Sequence, residues 1–297
     1  MKKWMILLLI LLLTGCGAPA PDVEEPVEEE PPAVEMPVEM PEEPVEEIIR
    51  YEADTTLFAD TLYAEDGTQL LHYSMRVPFL SVWREDGTQV TQAETEKEKT
   101  ALAAAEDFNR QFADWYSEET IQEAVRNASE DLAWRQEEGI DWYSGYQLEL
   151  NCDIYQTERL ISISGQYVAF TGGAHPNTYL LSWNFDPVSG SFFGPEALAE
   201  QEGLREAVTA ELVRQTEAKA AEFGEPADVI FWSDYKEILA EWPGYAVSFD
   251  ETGMTVAFSP YELAAYALGA QEFRIPYDLL MPYLDDAALE TLGMAAK

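Results

Sequence analysis

Histidine and cysteine are nearly absent from this chain of 297 residues, which holds two of each. The common zinc sites need several His or Cys ligands close together, and His72 and His175 are far apart in sequence. Because Cys16 falls in the N-terminal leader, Cys152 has no partner for an intrachain disulfide. Cys152 lies in the alternating stretch YQLELNCDIYQ, which predicts a buried and unreactive thiol.

Basic residues are also scarce, with 17 Lys and Arg against 57 Asp and Glu and a net charge of −40. This balance excludes nucleic acid as a partner, because phosphate binding needs a basic footprint. Only 12 of the acidic residues lie between Gly17 and Glu47, so most of the excess belongs to the rest of the chain. Such a surface attracts cations or a basic protein, although a merely soluble acidic surface has the same composition.

The motifs of the common catalytic sites are missing. HExxH, GxSxG and the P-loop do not occur. The acidic turns EDGT and DETG are too short for an EF-hand loop. Glycoside hydrolysis needs two carboxylates, but with so many acidic residues no particular pair can be singled out. We therefore predict a protein that is not an enzyme, with no catalytic residue, no metal and no cofactor.

The N-terminus carries the longest apolar run. Lys2 and Lys3 precede residues 4–13, a stretch too short for a spanning helix of ~20 residues. The following LTGC ends at Cys16 and matches a bacterial lipobox, so we predict a lipoprotein signal peptide over residues 1–16. Lipid on Cys16 would hold the protein at the outer face of the cytoplasmic membrane. The alternative is an ordinary secretory peptide with a coincidental cysteine.

Residues 17–50 are dominated by proline and glutamate and contain no aromatic residue. Charge repulsion and proline favour an extended linker without a folded core. At ~3 Å per residue, this linker would lift a domain several tens of ångströms from a membrane.

From residue 51 onward, hydrophobic periodicity and turn residues predict strands and helices in blocks. Asp66-Gly67 predicts a hairpin, and the apolar stripe from Ala101 to Trp115 predicts a helix. The further predicted helices are one capped by Thr120 and Glu123, a long one from Pro195 to Gly224, and a short one capped by Ser259 and ending near Gly269. The further predicted strands cover residues 145–155, 159–170, 177–186 and 272–275, and YAVSFDETGMTVAFSP is predicted to form a hairpin. The fold class is α+β, with antiparallel sheets of hairpins or a meander packed against a few long helices.

The stretch FTGGAHPN, residues 170–177, joins two of these predicted strands. Gly172 and Gly173 permit backbone angles that other residues avoid, and Pro176 constrains the chain as the next strand begins. His175 has two readings, a structural one with bonds to loop backbone groups and a functional one at a ligand-facing edge. A single histidine without partners makes a poor catalytic unit.

Two motifs resemble the RsiV-like extracellular domain family, which also includes the N-terminal non-catalytic domain of the peptidoglycan deacetylase PdaC. The first motif consists of FTGGAHPN, the NFD turn at residues 184–186, and Gly190. The second is FSPYELAAYALGAQEFRIPYDLL, residues 258–280. The resemblance implies a PdaC-N-like α+β segment over 51–182 and an RsiV-like segment over 183–290, which together could form one compact unit. Pro176 departs from the glycine usual after this histidine.

The resemblance implies a binding module at the cell envelope, with lysozyme or peptidoglycan fragments as partners. Because a lipobox begins the chain, we expect no sigma factor as partner, and we also expect no deacetylase activity. The family motifs imply two candidate ligand-facing loops, made of Gly172, Gly173, His175 and Asn177 in one and of Pro260, Tyr261 and Tyr266 in the other. The alternatives are a wall hydrolase with paired carboxylates and a structural part of an envelope complex.

Overall fold

The computed structural model describes residues 49–294. The predicted signal peptide, the lipidation site Cys16 and the linker up to residue 48 lie outside the described residues. Ile49 and Arg50, which the sequence assigns to the linker, already belong to the first strand. Residues 49–294 form one compact unit. Among residues 49–294, no helix has the length and apolarity required to span a bilayer.

The elements confirm the predicted α+β class. The strands are β1 (Ile49–Tyr63), β2 (Gln69–Arg84), β3 (Tyr146–Gln156), β4 (Ile161–Phe170), β5 (Asn177–Asp186), β6 (Ser191–Phe193), β7 (Ala246–Phe249), β8 (Gly253–Phe258) and β9 (Gln271–Pro276). The helices are α1 (Glu96–Ala113), α2 (Glu118–Glu137), α3 (Pro195–Ala199), α4 (Leu204–Glu222), α5 (Ala227–Ile230), α6 (Tyr235–Ala240), α7 (Tyr277–Leu280) and α8 (Asp286–Thr291).

The larger sheet has six strands in the order β1-β2-β3-β4-β5-β6. All neighbours are antiparallel except β2 and β3, which run parallel. The prediction of antiparallel sheets is wrong for this one pair. Helices α1 and α2 lie between the two strands in the chain, and such a crossover returns the chain to the end from which it started.

The β1–β2 hairpin is long, and its first strand is also bonded to β3. The side-chain amide of Gln156 on β3 bonds both the carbonyl of Tyr51 (2.7 Å) and the N–H of Ala53 (2.9 Å) on β1. The sheet packs against α1, whose predicted apolar stripe is confirmed by the complete burial of Phe108 and Phe112. One hydrophobic core therefore forms between this sheet and α1.

The smaller sheet has the order β7-β8-β9 and is antiparallel throughout. Its core face packs with α4 and the short helices around Trp242, which is fully buried. The outer edge of β9 is covered by α4, because Gln215 and Lys219 donate hydrogen bonds to the carbonyls of Arg274 and Glu272.

The two sheets are joined at β7 by side chains of the larger sheet. The N–H of Val247 donates to Ser182 Oγ (2.7 Å), and Asn184 Nδ2 donates to the carbonyl of Val247 (2.9 Å). Ser162 Oγ accepts the N–H of Phe249 at 2.7 Å. These bonds satisfy the backbone N–H and C=O groups on the edge of β7 that is not paired with another strand.

Three details of the predicted helices are wrong. The cap of α2 is Ser117, whose Oγ accepts the N–H of Thr120, rather than Thr120 itself. The helix predicted from Pro195 is broken into α3 and α4, because Gly203 adopts a left-handed conformation (φ +80°). No α-helix begins at Ser259, since its hydroxyl accepts the N–H of Leu180 on β5 instead of capping, and the predicted span contains one 3-10 turn at Tyr266–Leu268.

Candidate functional site

The two predicted ligand-facing loops come together in space. The imidazole of His175 stacks on the ring of Tyr266, with 3.7 Å between ring centroids and an interplanar angle of 18°. Tyr261 lies near both rings, with its hydroxyl 3.3 Å from His175 Nε2 and its ring centroid 5.6 Å from that of Tyr266. Residues about ninety positions apart in sequence thus form one cluster, between the start of β5 and the turn after β8.

The contacts of His175 define its tautomer. Nδ1 lies 3.0 Å from the carbonyl oxygen of Pro176, which can only accept a hydrogen bond. In the neutral ring, Nδ1 therefore carries the proton and Nε2 accepts the hydroxyl of Tyr261. One ring nitrogen thus bonds the loop backbone, while the ring also joins an aromatic surface, and the ligand-facing role of His175 stays a prediction.

Tyr261 adopts a left-handed backbone conformation, with φ of +76°. It is the one described residue other than glycine with a positive φ, and a bulky side chain in this region is strained. Two hydrogen bonds hold it there, from its N–H to the carbonyl of Ala264 (3.1 Å) and from Trp232 Nε1 to its own carbonyl (2.9 Å). Strain that the surrounding structure maintains is typical of functional sites.

Trp232 extends this cluster on the surface. Its side chain is 37% exposed and that of Tyr261 is 54% exposed. His175 and Tyr266 are half-buried. We call His175, Trp232, Tyr261 and Tyr266 the aromatic site. The sequence did not indicate Trp232, because it belongs to neither family motif and lies in the loop between α5 and α6.

The loop that carries His175 is bonded to α2. Gly172 has φ of +86°, and its carbonyl accepts a hydrogen bond from the buried Arg135 at 3.2 Å. Arg135 is itself paired with Asp131 (2.9 Å) and lies under the ring of Trp142, 4.2 Å from its centroid. This buried ion pair and cation–π contact restrict the movement of the loop.

The remaining predicted site residues have peripheral positions. Gly173 is exposed, and Asn177 is exposed at the first position of β5, opposite Ala169. Pro260 is half-buried beside Tyr261. The second histidine, His72, lies on β2, where Nδ1 contacts Thr61 Oγ1 at 2.9 Å. The structure therefore brings His175, Tyr261 and Tyr266 into direct contact and leaves the other candidates around them.

A cleft of about 580 Å³ opens between the outer faces of the two sheets. We call it the inter-sheet cleft. Asp153 lines it on β3, while Glu251, Glu272 and Arg274 line it from the smaller sheet. Asp250 is also in its wall, paired with Arg274. Burial opposes ionisation of Asp250, but the bonds from Arg274 and Thr252 outweigh it and lower the pKa of its carboxyl.

The thiol and the carboxylates of the described residues form no reactive or metal-binding arrangement. Cys152 is buried, as predicted, and burial raises the pKa of its thiol to about 12, so the thiolate is disfavoured. Within residues 49–294, no group of three or more His, Cys, Asp or Glu side chains is arranged to hold a metal ion.

The fold and these sites define an α+β module with an exposed aromatic site and a polar cleft. Residues 191–278, from β6 into α7, match the model of a family described as a protein of unknown function (DUF3298). This segment contains Trp232, Tyr261 and Tyr266, while His175 precedes it. No curated protein matches the chain.

Two crystal structures of DUF3298 proteins resemble the described fold. A member from Bacteroides fragilis NCTC 9343 is 16% identical, with 83% of this chain and 98% of that chain covered and a TM-score of 0.52. A protein from Pseudomonas aeruginosa PAO1 is 18% identical, with 79% and 94% covered and a TM-score of 0.43. At such identity, the likeness to the first structure establishes a shared fold and nothing about ligands.

Proposed function

We propose that this protein is a non-enzymatic lipoprotein of the bacterial cell envelope, held to the outer face of the cytoplasmic membrane by lipid on Cys16. Its folded part is an RsiV-like binding module for a basic wall-active protein such as lysozyme, or for a component of the cell wall. DUF3298 domains occur in RsiV and PdaC, so the match over residues 191–278 supports the RsiV-like assignment.

The observation that carries this proposal is the aromatic site. Tyr and Trp dominate binding hot spots because they offer large, rigid contact areas with a polar end. Trp232 and Tyr261 are exposed, and two hydrogen bonds to its backbone hold Tyr261 in a strained conformation, while its hydroxyl contacts His175. A surface prepared in this way loses little conformational entropy when a partner binds.

The charge of the chain favours a basic partner. A net charge of −40 attracts a cationic protein over several ångströms and raises the rate of encounter. Charge alone does not provide specificity, because exposed charges are screened at moderate salt. We therefore assign steering to the acidic surface and specificity to the aromatic site.

The test is calorimetric titration of the chain from Gly17 to Lys297 with lysozyme and with a second small basic protein, at low and high salt. We expect binding to lysozyme that survives high salt. Tyr266→Ala should weaken it about tenfold or more, as expected for a hot-spot residue. Tyr63→Ala is the matched control, since Tyr63 is 60% exposed at the far end of β1.

Equal binding to both basic proteins, lost as salt increases, would show that the protein is merely acidic. The lysozyme arm of the proposal would then be dropped, and insoluble peptidoglycan would replace lysozyme in a sedimentation assay with the same variants. Retention on peptidoglycan that depends on Tyr266 would support a wall component as ligand. Binding to neither would refute the proposed function.

A wall hydrolase is the second candidate, because the inter-sheet cleft contains several carboxylates. A glycosidase needs one carboxyl group that is protonated at working pH. The pKa of Asp250 is shifted in the opposite direction. Release of soluble reducing sugars from peptidoglycan by the native chain, and not by an Asp153→Asn variant, would establish the hydrolase instead.

A further inference from the structure

The inter-sheet cleft contains hydrogen-bonding side chains that the fold leaves unused. Asn151 on β3 and Ser164 and Gln166 on β4 face it from the larger sheet, and Ser248 on β7 faces it from the smaller one. Within residues 49–294, the side chains of these four residues make no hydrogen bond to other protein groups. By contrast, Ser162 and Asn184 on the neighbouring positions are fully used in joining the sheets.

The walls of the cleft are polar where two packed sheets would normally be apolar. Facing sheets usually close by interdigitating hydrophobic side chains. Here the lining includes the small residues Ala246 and Ala257 on the smaller sheet, together with Thr255 and Arg274. The small residues keep the sheets from filling the space, and the volume of about 580 Å³ lies in the range of small-ligand sites.

An extended peptide is a poor occupant of this cleft. Peptides that bind to sheets usually add a strand to a free edge. The cleft is lined by the faces of the sheets, and the nearby edges are occupied. The backbone of β7 is bonded by Ser162, Ser182 and Asn184, and that of β9 is covered by Gln215 and Lys219.

The charges of the cleft further restrict its ligand. Arg274 is neutralised by Asp250 and also donates to Thr255 Oγ1 at 3.0 Å. Asp153, Glu251 and Glu272 add negative charge and form no salt bridge within residues 49–294, although Glu272 is close enough to Lys219 for their charges to interact. An anionic ligand is therefore repelled, whereas a neutral or cationic one is accepted.

We infer that the inter-sheet cleft is a binding site for a short, neutral or amino-bearing oligosaccharide, separate from the aromatic site. Amide, hydroxyl and carboxylate groups match the alternating donors and acceptors of sugar hydroxyls. Asn151 and Gln166 bind hydroxyl groups from the β3–β4 face. Ser248 and the carboxylates of Glu251 and Glu272 bind hydroxyl or amino groups from the opposite side.

The experiment is calorimetry of the chain from Gly17 to Lys297 with three probes, tetramers of N-acetylglucosamine, of glucosamine and of galacturonic acid. We expect the first two to bind and the anionic tetramer not to bind. Gln166→Ala should weaken binding about tenfold, since it removes hydrogen bonds to the sugar. Gln122→Ala, at an exposed position of α2, is the matched control and should bind like the native chain.

Two further variants separate this inference from the proposed function. Ser164→Trp places a large side chain in the cleft from β4 and should abolish sugar binding while leaving lysozyme binding unchanged. Tyr266→Ala should leave sugar binding unchanged. Gln166 and Ser164 are exposed, so their replacement preserves the fold, which circular dichroism checks. The inference fails if neither sugar binds, if Gln166→Ala and Ser164→Trp have no effect, if the anionic tetramer binds equally well, or if Tyr266→Ala alone removes binding.

Discussion

Asn184 on β5 and Val247 on β7 connect the two sheets through a buried hydrogen bond, in which Asn184 Nδ2 donates to the carbonyl of Val247 at 2.9 Å. The same amide accepts a hydrogen bond from Ser162 Oγ at 2.7 Å. Ser162 in turn accepts the N–H of Phe249. A chain of side-chain bonds thus replaces strand pairing where the sheets meet, and it determines how the walls of the inter-sheet cleft are placed.

Asn184→Ala should destabilise the protein by about 2–3 kcal/mol, because it leaves the buried carbonyl of Val247 without a donor and disrupts Ser162. The measurement is the free energy of unfolding from urea denaturation monitored by circular dichroism. Asn127→Ala, at an exposed position of α2, is the control and should change stability by less than about 0.5 kcal/mol. Equal effects of the two changes would contradict the role given to Asn184.

Gly172→Ala should destabilise the protein by about 1–2 kcal/mol. Its φ of +86° is strained for alanine, and a Cβ atom there would lie 3.1 Å from both Arg135 and Asp131. Gly173→Ala is a matched control, because φ at Gly173 is not positive and the nearest atom to its Cβ would be 3.8 Å away. The measurement is the free energy of unfolding of both variants in urea. A larger loss of stability for Gly173→Ala than for Gly172→Ala would refute this account of the loop.

Replacement of Tyr261 by glycine should be less damaging than replacement by alanine. Both changes remove the ring and its hydroxyl, and they differ only in the backbone preference at φ of +76°. Glycine adopts this region freely, so Tyr261→Gly should be more stable than Tyr261→Ala by about 1 kcal/mol. The comparison uses unfolding midpoints of the two proteins. An alanine variant as stable as the glycine variant would show that the turn rearranges.

Glu98 makes stability depend on pH. The hydrogen bond from Arg84 (2.6 Å) and that from the N–H of Glu94 lower the pKa of its carboxyl. A folded-state pKa below the unfolded value of about 4.3 means that the pair stabilises the protein above that pH. This stabilisation is lost as the pH falls through the folded-state pKa.

Glu98→Gln should therefore lower the thermal midpoint at pH 7 and make the midpoint fall less steeply below about pH 4 than in the native protein. Thermal unfolding between pH 7 and pH 3 measures both effects. Glu106→Gln on the exposed face of α1 serves as the control. If its pH profile and that of Glu98→Gln coincide, the stabilisation attributed to the Arg84–Glu98 pair is wrong.

Much of the fold was predictable because the signals are local. Asp66-Gly67 forms the predicted turn between β1 and β2, and Gly67 has φ of +85°. The stripe of α1 appears where Ala101, Ala105, Phe108 and Phe112 recur with helical spacing, and all four are buried. Strands β3, β4 and β5 begin and end within two residues of their predicted limits.

The errors occur where a distant residue competes with a local preference. Ser259, Pro260 and Glu262 have the pattern of a helix start, and Glu262 does accept the N–H of Ser259. The hydroxyl of Ser259, however, bonds Leu180 on another strand. Leu263 and Ala264 are buried, so tertiary packing imposes a turn at the cost of strain at Tyr261.

The sequence by itself determined the α+β class, the hairpins, helix α1 and the positions of the two candidate loops, since turn residues and hydrophobic periodicity act over a few positions. Only the tertiary structure decided that His175 stacks on Tyr266, that Trp232 joins them, and that a polar cleft separates the sheets. Those arrangements depend on contacts between residues tens of positions apart, and such contacts leave no periodic trace in a single sequence. The parallel pairing of β2 with β3 has the same origin, because the direction of a strand follows from the path of the helices that precede it.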